Sequence, residues 1–450
     1  MQGVTLTIIV ILSILVLTLR PHHALVVYIT GLLWYPSFLA ISIDTVDIIA
    51  SRAVVTVLLL RCLSDEQIRR KFKITKLDKW VAFNLLVSIG IVLLTRPTLL
   101  SIENRGGFLL DTGFAYMIGR YIIVDRKTLI SVVKCISIVL IPLAILGCIE
   151  AVTDWQPFVP LRRFNPWNPE FNITNVGSRW GFTRAIGPFN HPILFGSVFA
   201  IFLPLVYHLR YERDNWKTWA YILSAIMILG VLSSMSSGPW VMLMVIIFCL
   251  IMERFKQWLK PTIYFFILLC IIAEIISNRA LYYVVASYAN MLGGAGTHRA
   301  RLIDVAIKHF SQWWLAGCGG KDPGWGHYFG MGHTDVTNEY ILAGVKYGIL
   351  GVIALCGVLI VAFRGLISSH KKATNPVMKS FYWSLGTILF SVAVVWTSIG
   401  FFGQLIPLFY CILGIIGSCS LFPIIQKVNC RKVLIDSSGK RIVRKTIKQT

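Results

Sequence analysis

Charge is scarce in this sequence, and what there is leans to one sign. Charged residues make up 14% of the 450, with 20 acidic against 43 basic side chains and a formal net charge of +23. A soluble domain carries about 25% charged residues and about 45–50% apolar ones. Here 56% of residues are hydrophobic and the mean hydropathy is +0.72. Too few charges are present to cover a water-soluble surface, so lipid is the expected solvent. Metal and redox signatures are also missing. The 10 cysteines form no CxxC pair, and no His/Cys cluster has zinc spacing. Cys62, Cys135, Cys148, Cys249, Cys270, Cys356, Cys411 and Cys419 sit in or beside apolar runs and read as small hydrophobes. Cys318 falls in a long loop. Neither a Walker nor a dinucleotide glycine spacing occurs, and no repeat of 20–50 residues divides the chain.

Long apolar runs are what the sequence does have. A hydrocarbon core about 30 Å thick needs roughly 20 apolar helical residues. Runs of about that kind are Val4–Leu19, Ala24–Ile43, Ile48–Leu63, Trp80–Leu94, Phe108–Val124, Leu129–Ile149 and Ile193–Leu209. Further runs are Trp219–Met235, Trp240–Met252, Pro261–Ile276, Tyr340–Phe363, Phe381–Trp396 and Gln404–Leu421. The expected fold is therefore an all-α polytopic membrane protein of about 12–14 transmembrane helices. It is treated as one membrane domain over 1–425, followed by a basic tail at 426–450. The first run lacks a basic flank and no A-x-A-like site follows it, so it reads as a retained span.

The positive charges mark topology rather than a nucleic-acid surface. They concentrate in short connections, such as Arg69 to Lys79, Arg210 to Lys217, Arg254 to Lys260 and Arg364 to Lys379, and in the tail. By the positive-inside rule these lie in the cytoplasm. Alternation then puts two long loops, Glu150–Pro192 and Ser277–Asn338, on the outer side, together with the N-terminus. Charged residues within the spans are few, chiefly Asp111, Lys134 and Glu274, and all lie near segment ends. Ion-coupled carriers usually place such groups mid-span, so chemistry at the outer face is favoured over coupled transport.

The outer loops carry the candidate chemistry. The first closes with Arg179, Trp180, Arg184, Gly187, Asn190, His191 and Pro192. Its aromatics and arginines fit an interfacial belt, or a site where phosphate or sugar meets the membrane surface. The second holds an expected amphipathic helix, with Leu302, Val305, Ala306, Phe310, Trp313 and Trp314 on one face and Thr297 as a possible cap. Arg299 and Arg301 fall in its first turn, where cations oppose the helix dipole. A bound anion would resolve that conflict; solvent screening would reduce it. Gly330 and Gly332 lie between His327 and His333, close to Asp335, Asn338 and Glu339. A histidine there suits a general base.

At these loops the chain resembles the bacterial O-antigen ligase/polymerase superfamily, which includes exopolysaccharide polymerases. Four stretches carry the resemblance. They are Arg184 to Pro192, Ser236-Ser237-Gly238-Pro239-Trp240, His298 to Ala306 leading to Gly319, and Thr337-Asn338-Glu339-Tyr340 leading to Gly351. The resemblance covers roughly residues 180–360. It implies a metal-independent glycosyltransferase of the bacterial inner membrane, with no cofactor and with its active site outside. The donor would be a polyprenyl-diphosphate-linked glycan and the acceptor a second glycan. An O-antigen or exopolysaccharide polymerase is favoured over a ligase that transfers to a lipid A core. The absence of a D-x-D motif agrees with metal independence. Membrane lipid, and chain-length or export proteins, are the further partners it allows; nucleic acid is not one. The resemblance assigns Arg184, and either Arg299 or Arg301, to the donor diphosphate. Arg179, His191 and Asn338 are the other expected substrate contacts. Where family members often have His, this chain has Thr337, so the base is sought in His333 first and Glu339 second, with His327 third. The competing readings are a flippase for lipid-linked oligosaccharide and a non-enzymatic export partner.

Overall fold

In hydrocarbon every backbone amide must be satisfied within its own segment, so an apolar run of this length has the helix as its only stable form. A computed structural model describes residues 1–166, 177–212, 215–284, 286 and 296–422. The basic tail, Trp167 to Pro169 of the first loop, and Arg213 lie outside the described residues. The first half runs α1 (Gln2–Thr18), α2 (Pro21–Trp34), α3 (Ala50–Ser64), a short α4 (Glu66–Lys71), α5 (Lys76–Thr95), α6 (Leu99–Leu109), α7 (Ala115–Ile122) and α8 (Arg126–Thr153). The second runs α9 (Pro192–His208), α10 (Trp216–Ser233), α11 (Ser237–Arg254), α12 (Leu259–Ile276), α13 (Gly296–Lys308), a short α14 (Phe310–Trp313), α15 (Glu339–Lys372), α16 (Pro376–Val395) and α17 (Leu405–Cys419).

Eight helical segments among the described residues are long and apolar enough to cross a membrane, and α1 and α17 are shorter apolar helices. The chain is an all-α polytopic membrane protein. Among the described residues its strands form two small antiparallel hairpins, β1 (Ala40–Ile43) with β2 (Val46–Ile49), and β3 (Ser178–Arg179) with β4 (Phe182–Thr183).

Every apolar run marked in the sequence carries helix, with two departures. The run Ala24–Ile43 stops being helical at Trp34, because Tyr35 takes an extended conformation ahead of Pro36. Its remainder becomes β1. The run Phe108–Val124 is two helices joined by a π-helical turn, Leu110–Phe114. One extra residue per turn there rotates Asp111 onto Arg52 of α3, at 2.7 Å.

Successive helices alternate between two faces. On one face Arg126 pairs with Glu212, Arg210 with Glu253, and Arg120 with Asp78. The opposite face carries the long loops, which are tied to the short connections beside them: Arg184 to Ser236, Asn338 to Thr397, and, at the start of α15, Glu339 to Phe401. One continuous apolar core runs through the bundle. Where α7 meets α17, Gly119 and Gly414 let the backbones touch; a Cβ on either would lie 2.3 Å or less from the carbonyl oxygen of Cys411 or of Tyr116. No residue of α12 is buried, which leaves its apolar surface to lipid.

Helix α15 is broken on purpose. At 34 residues it would reach about 50 Å, well beyond the hydrocarbon core. It kinks at Gly348, whose φ of 68° and ψ of −169° leave the helical region. The second long loop docks into the break: the Ile349 amide donates to the Trp314 carbonyl at 2.7 Å, and the Cys318 amide to the Val345 carbonyl at 2.7 Å. Helix α13 buries Leu302, Val305 and Ala306, with Trp313, against Trp325 and Val345 in a small second core. The expected amphipathic helix thus packs on the bundle, while Phe310 and Trp314 remain exposed. It begins at Gly296, so Thr297 stands in its first turn.

Candidate functional site

The first loop is held by two buried charges. Glu150, in the last turn of α8, is fully buried, and its Oε2 accepts from the amides of Ile186 and Gly187 at 2.8 and 2.9 Å. Arg162, in a 3-10 turn at Val159–Phe164, donates to the carbonyls of Phe189 and Asn190 at 3.1 and 3.3 Å. Together they clamp the stretch from Ile186 to Asn190, which sets Arg184 on one side and His191 on the other.

The hairpin β3–β4 places Arg179. Its turn puts Trp180 at φ 50° and Gly181 at φ 81°. A positive φ is costly for a bulky side chain and is retained where the surroundings enforce it. Here the Trp180 ring stacks on Trp240 at 5.3 Å. Trp240 opens α11 together with Ser236, whose hydroxyl accepts from Arg184 Nη2 at 3.4 Å. The first two of the four stretches that carry the resemblance therefore meet.

The third joins them through Arg299. The Arg179 charge acts on both Arg184 and Arg299. Burial first, and then Arg179, brings the Arg184 guanidinium down to about 10. Burial and Arg179 also lower Arg299, against the opposing pull of Asp335. All three remain cations at neutral pH. Arg179 Nη1, Arg299 Nε and Trp240 Nε1 are buried donors with no hydrogen-bond partner. Neither Arg179 nor Arg299 forms an ion pair among the described residues. Buried donors are almost always satisfied, and convergent cations repel, so this is an arrangement that an anion would complete.

The neighbouring Arg301 behaves differently. It is exposed and donates to the Tyr328 carbonyl at 3.1 Å. Spacing on α13 could not separate it from Arg299; the fold gives the two different surroundings.

His191 caps α9: its Nδ1 accepts from the Ile193 amide at 3.1 Å. Burial first, then Arg184 and Arg162, push it down to about 4, so the ring is neutral. With Nδ1 accepting, the proton sits on Nε2, which makes His191 a hydrogen-bond donor and not a base. Asn338 caps α15. Its Oδ1 accepts from the amides of Tyr340 and Ile341, and its Nδ2 donates to the Thr397 carbonyl at 2.9 Å. Its polar atoms are used in positioning the fourth stretch.

The two expected bases lie in different surroundings. His333 is exposed, with Asp322 as a charged neighbour. Asp322 is itself engaged by Thr334 and the Gly324 amide. Glu339 points into the bundle, where its Oε2 accepts from the Phe401 amide at 2.9 Å. It lines a cavity of about 270 Å³ with Arg52, Asn84, Arg105, Asp111 and Lys346. The segment that bonds Glu339 also carries Phe402, whose ring packs on His191 at 5.8 Å. His327 is exposed and its Nδ1 lies 2.8 Å from the Gly324 carbonyl oxygen.

Sequence reasoning did not single out Glu150 as a clamp, nor Arg52, Arg105 and Lys346 as cavity residues. A lone acid ending an apolar run just before an arginine-rich loop was the available signal for Glu150. No group of His, Cys, Asp and Glu that could hold a metal occurs among the described residues. No family model matches the chain, and no curated protein matches it.

Proposed function

We propose that the arginine cluster binds the diphosphate of a polyprenyl-linked glycan, and that the chain is a membrane glycosyltransferase of the O-antigen ligase/polymerase type facing the cell exterior, with polymerisation favoured. The observation that carries this reading is the convergence of Arg179, Arg184 and Arg299 from separate segments, with buried donors unpaired on two of them. Guanidinium meets phosphate oxygens through two parallel bonds and stays charged when partly buried. A site on the bundle beside lipid suits a headgroup whose chain stays in the bilayer.

The chemistry follows from that placement. The acceptor hydroxyl oxygen forms a bond to the anomeric carbon. The bond from that carbon to the diphosphate oxygen breaks, and its electron pair leaves with the diphosphate. Fixed guanidinium groups stabilise the developing charge. The His191 Nε2 proton adds a neutral donor at the same end. The hydroxyl proton goes to a base. Glu339 is favoured by its inward position and by the shared segment with His191; His333 is the other candidate.

The test uses purified protein in proteoliposomes with a polyprenyl-diphosphate-linked glycan as donor. Arg179→Gln and Arg299→Gln should each lose about 100-fold or more in transfer. Glu339→Gln should lose about 100- to 10,000-fold, and His333→Ala should lose little. Dead His333→Ala beside active Glu339→Gln reverses the base assignment. Full activity in Arg299→Gln removes the donor site. Movement of the intact donor across the bilayer without transfer would replace the enzyme with a flippase.

A further inference from the structure

A second polar cleft lies between α5, α6 and α15. One part is the cavity floored by Glu339; the other, of about 310 Å³, is lined by Arg96, Asn104, Lys321, Asp322 and Thr334. The two share Asn104, Arg105, Lys346 and Tyr347, so they form one depression running from the second long loop into the bundle. Each part is near the lower end of ordinary ligand pockets, about 300–1,000 Å³.

Its charges do not balance. Arg52 and Asp111 are paired with each other. The remaining cations are Arg96, Arg105, Lys321 and Lys346, and the remaining acids are Asp322 and Glu339. Asp322 already accepts from Thr334 and the Gly324 amide. Arg105 donates Nη1 to the Tyr347 hydroxyl at 3.1 Å, and its buried Nε has no partner. The wall also contains the π-helical turn at Leu110–Phe114, a distortion often found at functional sites.

The neutral lining narrows the ligand. Asn104 is exposed in the cleft and Tyr347 lines both parts, while Asn84 donates to the Tyr410 hydroxyl at 2.9 Å on the wall and the Phe108 ring lies under the Arg105 guanidinium. A small inorganic anion would use the cations but not the Asn104 amide or the length of the depression. We infer that this cleft is a binding site for a saccharide bearing a carboxylate, its acid gripped by Arg105 and Lys346. The cleft includes Glu339, the base favoured above, but its cations are not those of the arginine cluster, so the inference stands whether or not that cluster serves glycosyl transfer.

The experiment measures binding to the purified full chain in lipid nanodiscs. The probes are a glucuronate-containing tetrasaccharide, its carboxyl-reduced counterpart and inorganic phosphate. The acidic glycan should bind at least about tenfold tighter than the reduced one, the size of one charge-assisted contact. Arg105→Gln and Lys346→Gln should each weaken it by about tenfold, and Arg105→Lys by less. Arg179→Gln should leave it unchanged. Unfolding midpoints of the variants separate lost binding from lost fold. Equal binding of the acidic and reduced glycans overturns the inference, as does equal displacement by phosphate at the same concentration. Loss confined to Arg179→Gln would assign the binding to the arginine cluster instead.

Discussion

Arg120 and Arg299 both hold a guanidinium away from bulk water, and they are compensated in different ways. The Arg120 side chain, 2% exposed, meets Asp78 at 2.7 Å and donates to Ser418 and to the Lys73 carbonyl. Arg52, Arg126 and Arg210 likewise have carboxylate partners. Arg299 and Arg179 have none among the described residues, and each keeps a buried N–H unpaired. A buried charge without a counterion costs several kcal/mol. A fold retains that cost where something other than the fold supplies the anion. The paired set therefore holds helices together, and the unpaired set is the one proposed above to hold a ligand.

Substitution should separate the two sets by which measurement moves. Arg299→Gln is expected to lose about 100- to 1,000-fold in transfer with its unfolding midpoint unchanged or raised, since a self-repelling charge is removed. Arg301→Gln, two residues on and exposed, should stay within a few-fold of the parent. Equal losses in both would dissolve the distinction drawn between them. Arg120→Ala should do the opposite to Arg299→Gln. Removing one partner leaves Asp78 uncompensated, at about 3–5 kcal/mol of stability. Urea unfolding in detergent reads that directly; a variant as stable as the parent would sink the structural role.

Glu150 tests the boundary between the sets, because a buried acid there positions the loop that carries Arg184. Glu150→Ala strands two amides, at about 1–3 kcal/mol each. It should also displace Arg184 and so lower transfer by roughly tenfold, as small misplacements do. A Glu150→Gln variant keeps an oxygen acceptor and should recover most of both. Activity unchanged in Glu150→Ala would show that the clamp does not position the site.

The spans were legible because lipid leaves helix as the one solution for a long apolar run; only Pro36 and the π-helical turn at Leu110–Phe114 altered their limits. The loop arginines were legible as residue types but not as a set. Arg179, Arg184 and Arg299 are distant in sequence, and nothing local says that a hairpin and a docked helix bring them together. The different surroundings of Arg299 and Arg301 come from the rotation of α13, which the small core around Trp325 fixes. The cleft was invisible for a related reason. Arg52, Arg105 and Lys346 read as ordinary basic residues near span ends until the packing of α3, α6 and α15 gathers them around one space.

The smallest effect concerns His191, which sits among the cations yet caps a helix like any structural residue. Its folded-state value of about 4 is below the ordinary histidine value of about 6.5. The cause is burial, then Arg184 and Arg162. Between those two values the unfolded chain binds the proton and the folded chain does not. Stability is therefore fully present above about pH 6.5, falls as the pH drops toward 4, and levels off below it. Protonation at Nδ1 would also break the bond from the Ile193 amide, so the start of α9 loosens as the charge appears. The measurement is the thermal unfolding midpoint in detergent across pH 4 to 7.5. The parent should lose a few degrees over that window beyond the loss in His191→Asn, because asparagine keeps a capping oxygen and does not titrate. Identical pH profiles for the two proteins would mean that the imidazole is not held neutral by its neighbours, and the assignment of its Nε2 proton to the ligand would fall with it.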